Sequence, residues 1–320
     1  MTKSHFDETG AQWAWDSTSL KALYSCERLY AFQFIEDYVS SESSVHLVFG
    51  GIYAAALELY HRSVAQGAAH DEALHACVRY ALVESWLHSL SLSGERIPNT
   101  GQPHPVFSTT NTKTREGLIR TIVWYLEHFR GSHISTLITS SGAAAVEYSF
   151  KLELSPSILY CGHIDRVVTD GRYSYIQDQK TTGATIGANY VSKYDLDIQM
   201  SGYTYAGKII YNAPIAGVMI DAAQVATDFS AFFRGFTFRS NDALEEWRDE
   251  SLSRLATIRA KSARYAEEGD IGVFAPNFTA CTNYGGCPFA EVCAKPRGLR
   301  KRFLESNFTR RKPWNPLESR

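Results

Sequence analysis

The chain has 320 residues, 44% of them hydrophobic and 13% aromatic, with a formal net charge of −2. That composition excludes a disordered polymer, and no apolar run approaches the roughly 20 residues a membrane-spanning helix needs. The near-neutral balance gives no whole-chain signal for nucleic acid, so any such signal must be local.

In chain order, Ser17 or Ser19 opens a predicted helix that runs through Asp37, followed by helices over 50–62 and 71–90. Residues 91–114, SLSGERIPNTGQPHPVFSTTNTKT, read as a Pro/Gly/Thr-rich loop, long enough to carry function. Leu118, Ile122, Tyr125 and Phe129 share one face of a helix over 114–129. Strands are expected at 144–153, 158–168 and 173–181, then a helix at 193–211. Strands at 215–224 and 231–238 and a long helix over 242–267 follow. No internal repeat or low-complexity linker interrupts this order. The expected organisation is an N-terminal helical region (1–140), an α/β core (141–270) and a C-terminal segment (271–320).

The chemistry concentrates in residues 162–182, GHIDRVVTDGRYSYIQDQKTT. Two apolar runs flank a turn at Asp170-Gly171, which predicts an antiparallel hairpin. Asp165 lies five residues before Asp170 and Asp178 seven after Gly171, so the two carboxylates converge near one end of it. Converging carboxylates are a hard-oxygen site for Mg²⁺ or Mn²⁺, and Lys180 shares the strand face of Asp178 under the two-residue period. Such a set suits phosphodiester hydrolysis, with Lys180 steadying developing charge or the attacking water. By itself a D-x-K triplet is expected about once in a chain of this size, so its context must carry the argument.

That context is a preceding strand with G-x-I-D (Gly162, Asp165), then D-x-K-T (Asp178, Lys180, Thr181), then a helix with Gln199 and Tyr203 one turn apart. The string resembles the RecB-like branch of the PD-(D/E)XK nuclease superfamily. The resemblance implies an α/β fold, a restriction-endonuclease-like core with a central mixed sheet flanked by helices. The predicted order of three strands, a helix and a further strand matches it. It also implies a Mg²⁺- or Mn²⁺-dependent deoxyribonuclease acting at a free DNA end, with a helicase or recombination partner. Asp165, Asp178 and the Gln179 carbonyl would hold the metal, and Gln199 and Tyr203 would contact the substrate backbone or buttress the site. One element departs: where the family has G-x-x-x-H-x-x-L-E, this chain aligns Gly50, Leu57 and Glu58 but has Ala54 in place of the His. His61, seven residues on, is about 10 Å away by helical rise. Glu147 and His163 are supporting candidates, each with a structural alternative.

The six cysteines divide into Cys77 and Cys161, read as small buried hydrophobes, and a second set. Cys281, Cys287 and Cys293 fall within thirteen residues. The first ten residues are polar and lack the apolar core of a secretory signal, so a reducing, intracellular compartment is expected and clustered thiols there favour metal over disulfides. Cys26 is the candidate fourth ligand. Four thiolates serve zinc or an iron–sulfur cluster alike. Resemblance to the iron–sulfur exonucleases (AddB-type nuclease domains, CRISPR-associated and phage exonucleases) implies a [4Fe–4S] cluster, although their usual C-x2-C-x5-C is C-x5-C-x5-C here. A shared centre would close a loop of about 250 residues. Between Lys295 and Lys312, eight Lys or Arg residues face one acid, and Arg300, Lys301 and Arg302 are candidate DNA contacts. Two rival readings remain: a non-catalytic DNA-binding or assembly module, and a zinc-stapled structural protein.

Overall fold

A computed structural model describes residues 3–40, 44–91, 93, 95–108, 112–211, 214–283 and 286–318. In chain order the elements begin with β1 (Ala14–Trp15), α1 (Ser17–Ser25), α2 (Glu27–Tyr30), β2 (Tyr38–Ser40), α3 (Val45–Ala65) and α4 (His70–Glu84). Then come β3 (Trp86–Leu90), β4 (Arg96–Pro103), α5 (Arg115–His128), β5 (Ser135–Thr136), β6 (Val146–Ser155), β7 (Ile158–Thr169) and β8 (Ser174–Thr182). After these follow α6 (Ala188–Val191), α7 (Ile198–Ile210), β9 (Ile215–Val225), β10 (Ser230–Thr237), α8 (Asn241–Glu268), α9 (Ala290–Ala294), α10 (Arg300–Asn307) and β11 (Phe308–Arg310). The chain divides into two compact units. One comprises Met1–Glu42, Ser149–Gly162 and Ser240–Arg320; the other comprises Ser43–Tyr148 and His163–Arg239.

The second unit holds the mixed sheet. β7 and β8 pair antiparallel from Arg166↔Gln177 to Thr169↔Ser174, β8 runs parallel to β9, and β10 closes antiparallel on β9. β9 is buried along nearly its whole length, as a parallel strand covered on both faces must be. The α3, α4 and α5 helices share a core of Phe49, Tyr53, Leu57, Ile122 and Tyr125 with Ala223 and Val225 of β9. On the other face, Gly207 of α7 lies so close to β8 that a Cβ there would stand 2.7 Å from Ile176 Cδ1. The α/β core with a central mixed sheet flanked by helices is therefore the architecture, as the sequence indicated.

In the first unit, Asp16 caps α1 by accepting from the Ser19 N–H at 2.8 Å, and Ser19 Oγ reciprocates toward the Asp16 backbone. The single helix expected over 17–37 is interrupted at Cys26, whose backbone is extended (φ −166, ψ 123). The 28-residue α8 starts at a Ser240 cap and stops at Gly269, whose φ of +66 suits a residue without Cβ. Phe32, Tyr38, Phe289, Val292 and Leu304 form a local core around the C-terminal loop.

Two further expectations are corrected. The helix over 71–90 ends at Glu84, because Trp86–Leu90 pairs antiparallel with Arg96–Pro103. Residues 91–114 therefore contain a strand as well as a loop.

Gly217 of β9 leaves no room for a side chain, since a Cβ would fall on the Thr237 carbonyl oxygen. Gly217→Ala should destabilise the protein by about 2 kcal/mol, more than Gly207→Ala, whose obstacle is a movable Ile tip. Denaturant midpoints of the two variants measure the difference, and equal midpoints would refute this account of the sheet.

Candidate active site

The hairpin is fixed by its turn. Asp170 Oδ1 accepts from the N–H groups of Arg172 and Tyr173, each at 2.8 Å, and Gly171 takes φ +90. The Arg166↔Gln177 register makes Asp165 and Asp178 the next facing pair. Asp165 Oδ2 accepts from the Gln179 N–H at 3.2 Å, and Lys180 Nζ pairs with Asp178 Oδ2 at 2.5 Å. Burial, then the charge of Asp178, pushes the Asp165 carboxyl up to about 7; Glu147 adds to the rise and Lys180 opposes it. For Lys180, burial alone would lower the pKa, but Asp178, Asp165 and Asp197 together raise it.

Glu147 itself has φ +47, a left-handed backbone that costs a non-glycine residue about 1–2 kcal/mol. The Val167 N–H donates to the Ala145 carbonyl at 2.8 Å, which brings the start of β6 alongside Asp165. His163 lies two residues before Asp165 on the same strand, half-buried.

The N-terminus of α7 faces this site. Asp197 caps it by accepting from Gln199 N–H (2.8 Å) and Met200 N–H (3.2 Å), and the Tyr194 ring centroid is 5.9 Å from Lys180 Nζ. Gln199 Nε2 donates to the Tyr203 hydroxyl at 3.0 Å, so these two form one unit across a helical turn.

The sequence profile of the PD-(D/E)XK nuclease superfamily matches residues 15–294. The chain belongs to that superfamily. No curated protein matches it. Membership makes it a metal-dependent nuclease of a class that binds DNA, and no helix among the described residues is long and apolar enough to cross a membrane.

Several parts of this nuclease site were not foreseen. Lys113, at the end of the expected loop, is buried and donates to the Thr181 carbonyl (3.3 Å) and hydroxyl (3.1 Å) behind the D-x-K-T motif. Burial lowers its pKa to about 8. Asp197 and Tyr194 bear on Lys180 only because the chain folds back, and no local pattern marks them. His61 stands against Arg166, its Nδ1 3.0 Å from the guanidinium Nη1. Arg166 alternates to the sheet face opposite Asp165, so His61 does not replace the imidazole absent at Ala54.

Two adjacent carboxylates, Asp165 and Asp178, with the Gln179 carbonyl following Asp178 in sequence, are a donor set that fits a hard divalent cation. Among the described residues, no three His, Cys, Asp or Glu side chains stand in an arrangement that holds a metal ion as they lie. At the hairpin, the Lys180 ammonium rests on the Asp178 carboxylate instead.

The cysteines form a separate site inside the first unit. Cys26, Cys281, Cys287 and Cys293 line one cavity of about 140 Å³, together with Leu29, Phe32 and Phe289. All are free thiols; Cys26 Sγ accepts from the Asn277 N–H at 3.2 Å, and Cys287 N–H donates to the Cys281 carbonyl at 2.8 Å. Residues 284–285 of this loop lie outside the described residues. Burial pushes the thiols of Cys287 and Cys293 up, and their sulfur neighbours push them the same way. Cys77 and Cys161 are buried elsewhere, each with its thiol pushed up to about 12 by burial.

The basic segment is folded, and half of its charges are paired. Lys295, Arg297, Arg310 and Lys312 pair with Glu291, Asp270, Glu36 and Glu318. Arg300 donates to the carbonyls of Cys293 and Lys295, both at 3.1 Å, so it braces the cysteine loop. Lys301 and Arg302 are exposed and have no ion pair among the described residues.

The Asp165 shift has a testable sign. Its folded pKa, about 7, exceeds the unfolded value, so in metal-free protein stability falls as pH rises from about 4 to 7. Asp165→Asn should raise the melting temperature of chelator-treated protein at pH 8 and lose that advantage near pH 4. Mn²⁺ affinity of the parent should weaken as pH drops from 8 to 6, since the carboxylate must lose its proton to bind. A pH-independent difference between variant and parent would contradict the shift.

Proposed function

We infer that this chain is a metal-dependent DNA exonuclease of the RecB-like type with a structural [4Fe–4S] cluster. The observation that carries the catalytic part is the facing pair Asp165 and Asp178 with Lys180 on the same strand, in a chain of nuclease ancestry. Asp165, Asp178 and the Gln179 carbonyl would hold Mg²⁺ or Mn²⁺. Such an ion, when bound, neutralises charge on the phosphate and lowers the pKa of a water. Lys180 leaves Asp178 to orient the attacking water and steady charge on the phosphate oxygens. At rest, Asp178, Asp165 and Asp197 together keep that lysine protonated against its burial. The Gln199–Tyr203 pair offers hydroxyl and amide groups to the substrate backbone, Glu147 supports Asp165, and Lys301 and Arg302 offer charge to phosphates. His163 is assigned a structural or substrate-side place on β7.

For the cysteines, one cavity lined by all four supports a shared centre, and the resemblance to iron–sulfur exonucleases favours a cluster over a lone zinc ion. Zinc is the alternative occupant, and metal content decides between them. A second functional reading, a DNA-binding module that has lost catalysis, draws on Ala54 where the family has a ligand. Cleavage of end-labelled DNA with Mn²⁺ separates the two readings.

Asp165→Ala, Asp178→Ala and Lys180→Ala should each lower DNA cleavage by at least about a hundredfold while the far-ultraviolet spectrum stays native. Parental cleavage in any of them would remove that residue from the site.

For the cluster, protein purified without oxygen should be brown. Cys26→Ser should bleach it as fully as Cys287→Ser, whereas Cys77→Ser and Cys161→Ser should leave the colour intact. Full metal content in Cys26→Ser would refute the shared centre, and colourless protein carrying zinc would refute iron alone.

A further inference from the structure

We propose that Arg28 is the counter-charge of a dianionic metal–thiolate centre built on Cys26, Cys281, Cys287 and Cys293, and that it governs how firmly that centre is retained. The proposal rests on the cysteine reading above and adds a residue whose role no feature of that reading supplies.

Arg28 sits in α2, two residues beyond Cys26, and is only 6% exposed. A buried guanidinium is costly unless a carboxylate or another anion compensates it. Here none does. The adjacent acid, Glu27, is spent: both of its oxygens lie 2.7 Å from Lys261 Nζ, and Oε2 also accepts from the Ala275 N–H. Arg28 has no ion pair among the described residues, and its Nε has no hydrogen-bond partner. What the guanidinium does act on is the Cys293 thiol, whose charged form it favours. Arg300 approaches the same residue but is committed to backbone carbonyls.

The side chain thus sets a whole positive charge beside Cys293, one of the four cysteines that line the cavity. Neutral thiols are weak acceptors and return no charge. Four thiolates around Zn²⁺, or around a [4Fe–4S]²⁺ core, carry a net dianionic charge in either case. Either centre supplies what Arg28 lacks, and a hydrogen bond to a ligating sulfur is a recognised means of tuning such a centre.

The test uses the full chain purified without oxygen, as parent, Arg28→Met, Arg28→Gln and Arg28→Lys. Metal content, the rate of metal loss to a chelator and, for iron, the midpoint potential are measured; DNA cleavage plays no part. Arg28→Met and Arg28→Gln should lose metal roughly 10–100-fold more readily. If the metal is iron, their midpoint should move to more negative potential, because removal of a cation disfavours the added electron. Arg28→Lys should recover most of both properties. If Arg28→Met does not fold by circular dichroism, Arg28→Gln carries the test. Metal retention and potential equal to the parent in a folded neutral variant would overturn the role of Arg28 alone. A parent without metal would overturn the cysteine reading beneath it.

Discussion

The repulsion between the Asp165 and Asp178 carboxylates, side by side where water is scarce, is the constraint around which the second unit is arranged. Burial first, and then the charge of Asp178, makes Asp165 harder to ionise. Lys180 relieves part of that repulsion by pairing with Asp178, which together with Asp165 and Asp197 keeps the lysine charged. The site is therefore a stored electrostatic imbalance that a divalent cation would discharge. Charge is held at the hairpin by backbone that cannot relax: a turn closed by Asp170, and β8 pinned from behind by Lys113.

The opposite sheet face shows how that backbone is kept in register. Asp221 of β9 gathers hydrogen bonds from the Tyr125 hydroxyl and Gln177 Nε2 and an ion pair from Arg234 of β10 at 3.1 Å. Gln177 is also the register partner of Arg166. These side chains come from four adjacent strands and one helix, directly behind the carboxylate row. A one-residue slip of β8 would carry Gln177 to the α7 side and bring Asp178 into this layer, breaking both sets at once. Buried polar groups are expensive, but their partners are directional, and a slipped pairing would leave each unsatisfied. The same layer explains why His61 is silent as a ligand: burial and two guanidinium groups hold its pKa well below the ordinary imidazole value.

What could be read in the sequence was what local chemistry determines. Asp170-Gly171 fixes a turn, the turn fixes the facing pair, and the two-residue period assigns Lys180 its face. Gln199 and Tyr203 were legible as a helical i, i+4 pair, and their hydrogen bond to one another follows from that spacing. Lys113, Asp197 and Tyr194 were not legible, because their bearing on the site depends on where distant segments return. The break at Cys26 was hidden because SLKALYSCERLYAFQF reads as uninterrupted helix; only tertiary packing makes an extended residue there tolerable. The basic segment misled in the other direction. Counting charges cannot see that half of them are already answered by Glu36, Asp270, Glu291 and Glu318.

Ala54 gives the strained backbone of Glu147 its interest. With a methyl where the family carries an imidazole, the hairpin has one fewer donor, and His61 is committed to Arg166 on the far face. Glu147 is the next carboxylate whose charge is felt at Asp165, and it is brought there by a left-handed conformation that a non-glycine residue adopts only at a cost. Left-handed backbone at a non-glycine strand residue marks a bulge or a functional constraint. The strain falls at a carboxylate whose charge acts on Asp165. That coincidence supports the proposal that Glu147 belongs to the working site, and it argues against reading Ala54 as the mark of a site that has decayed.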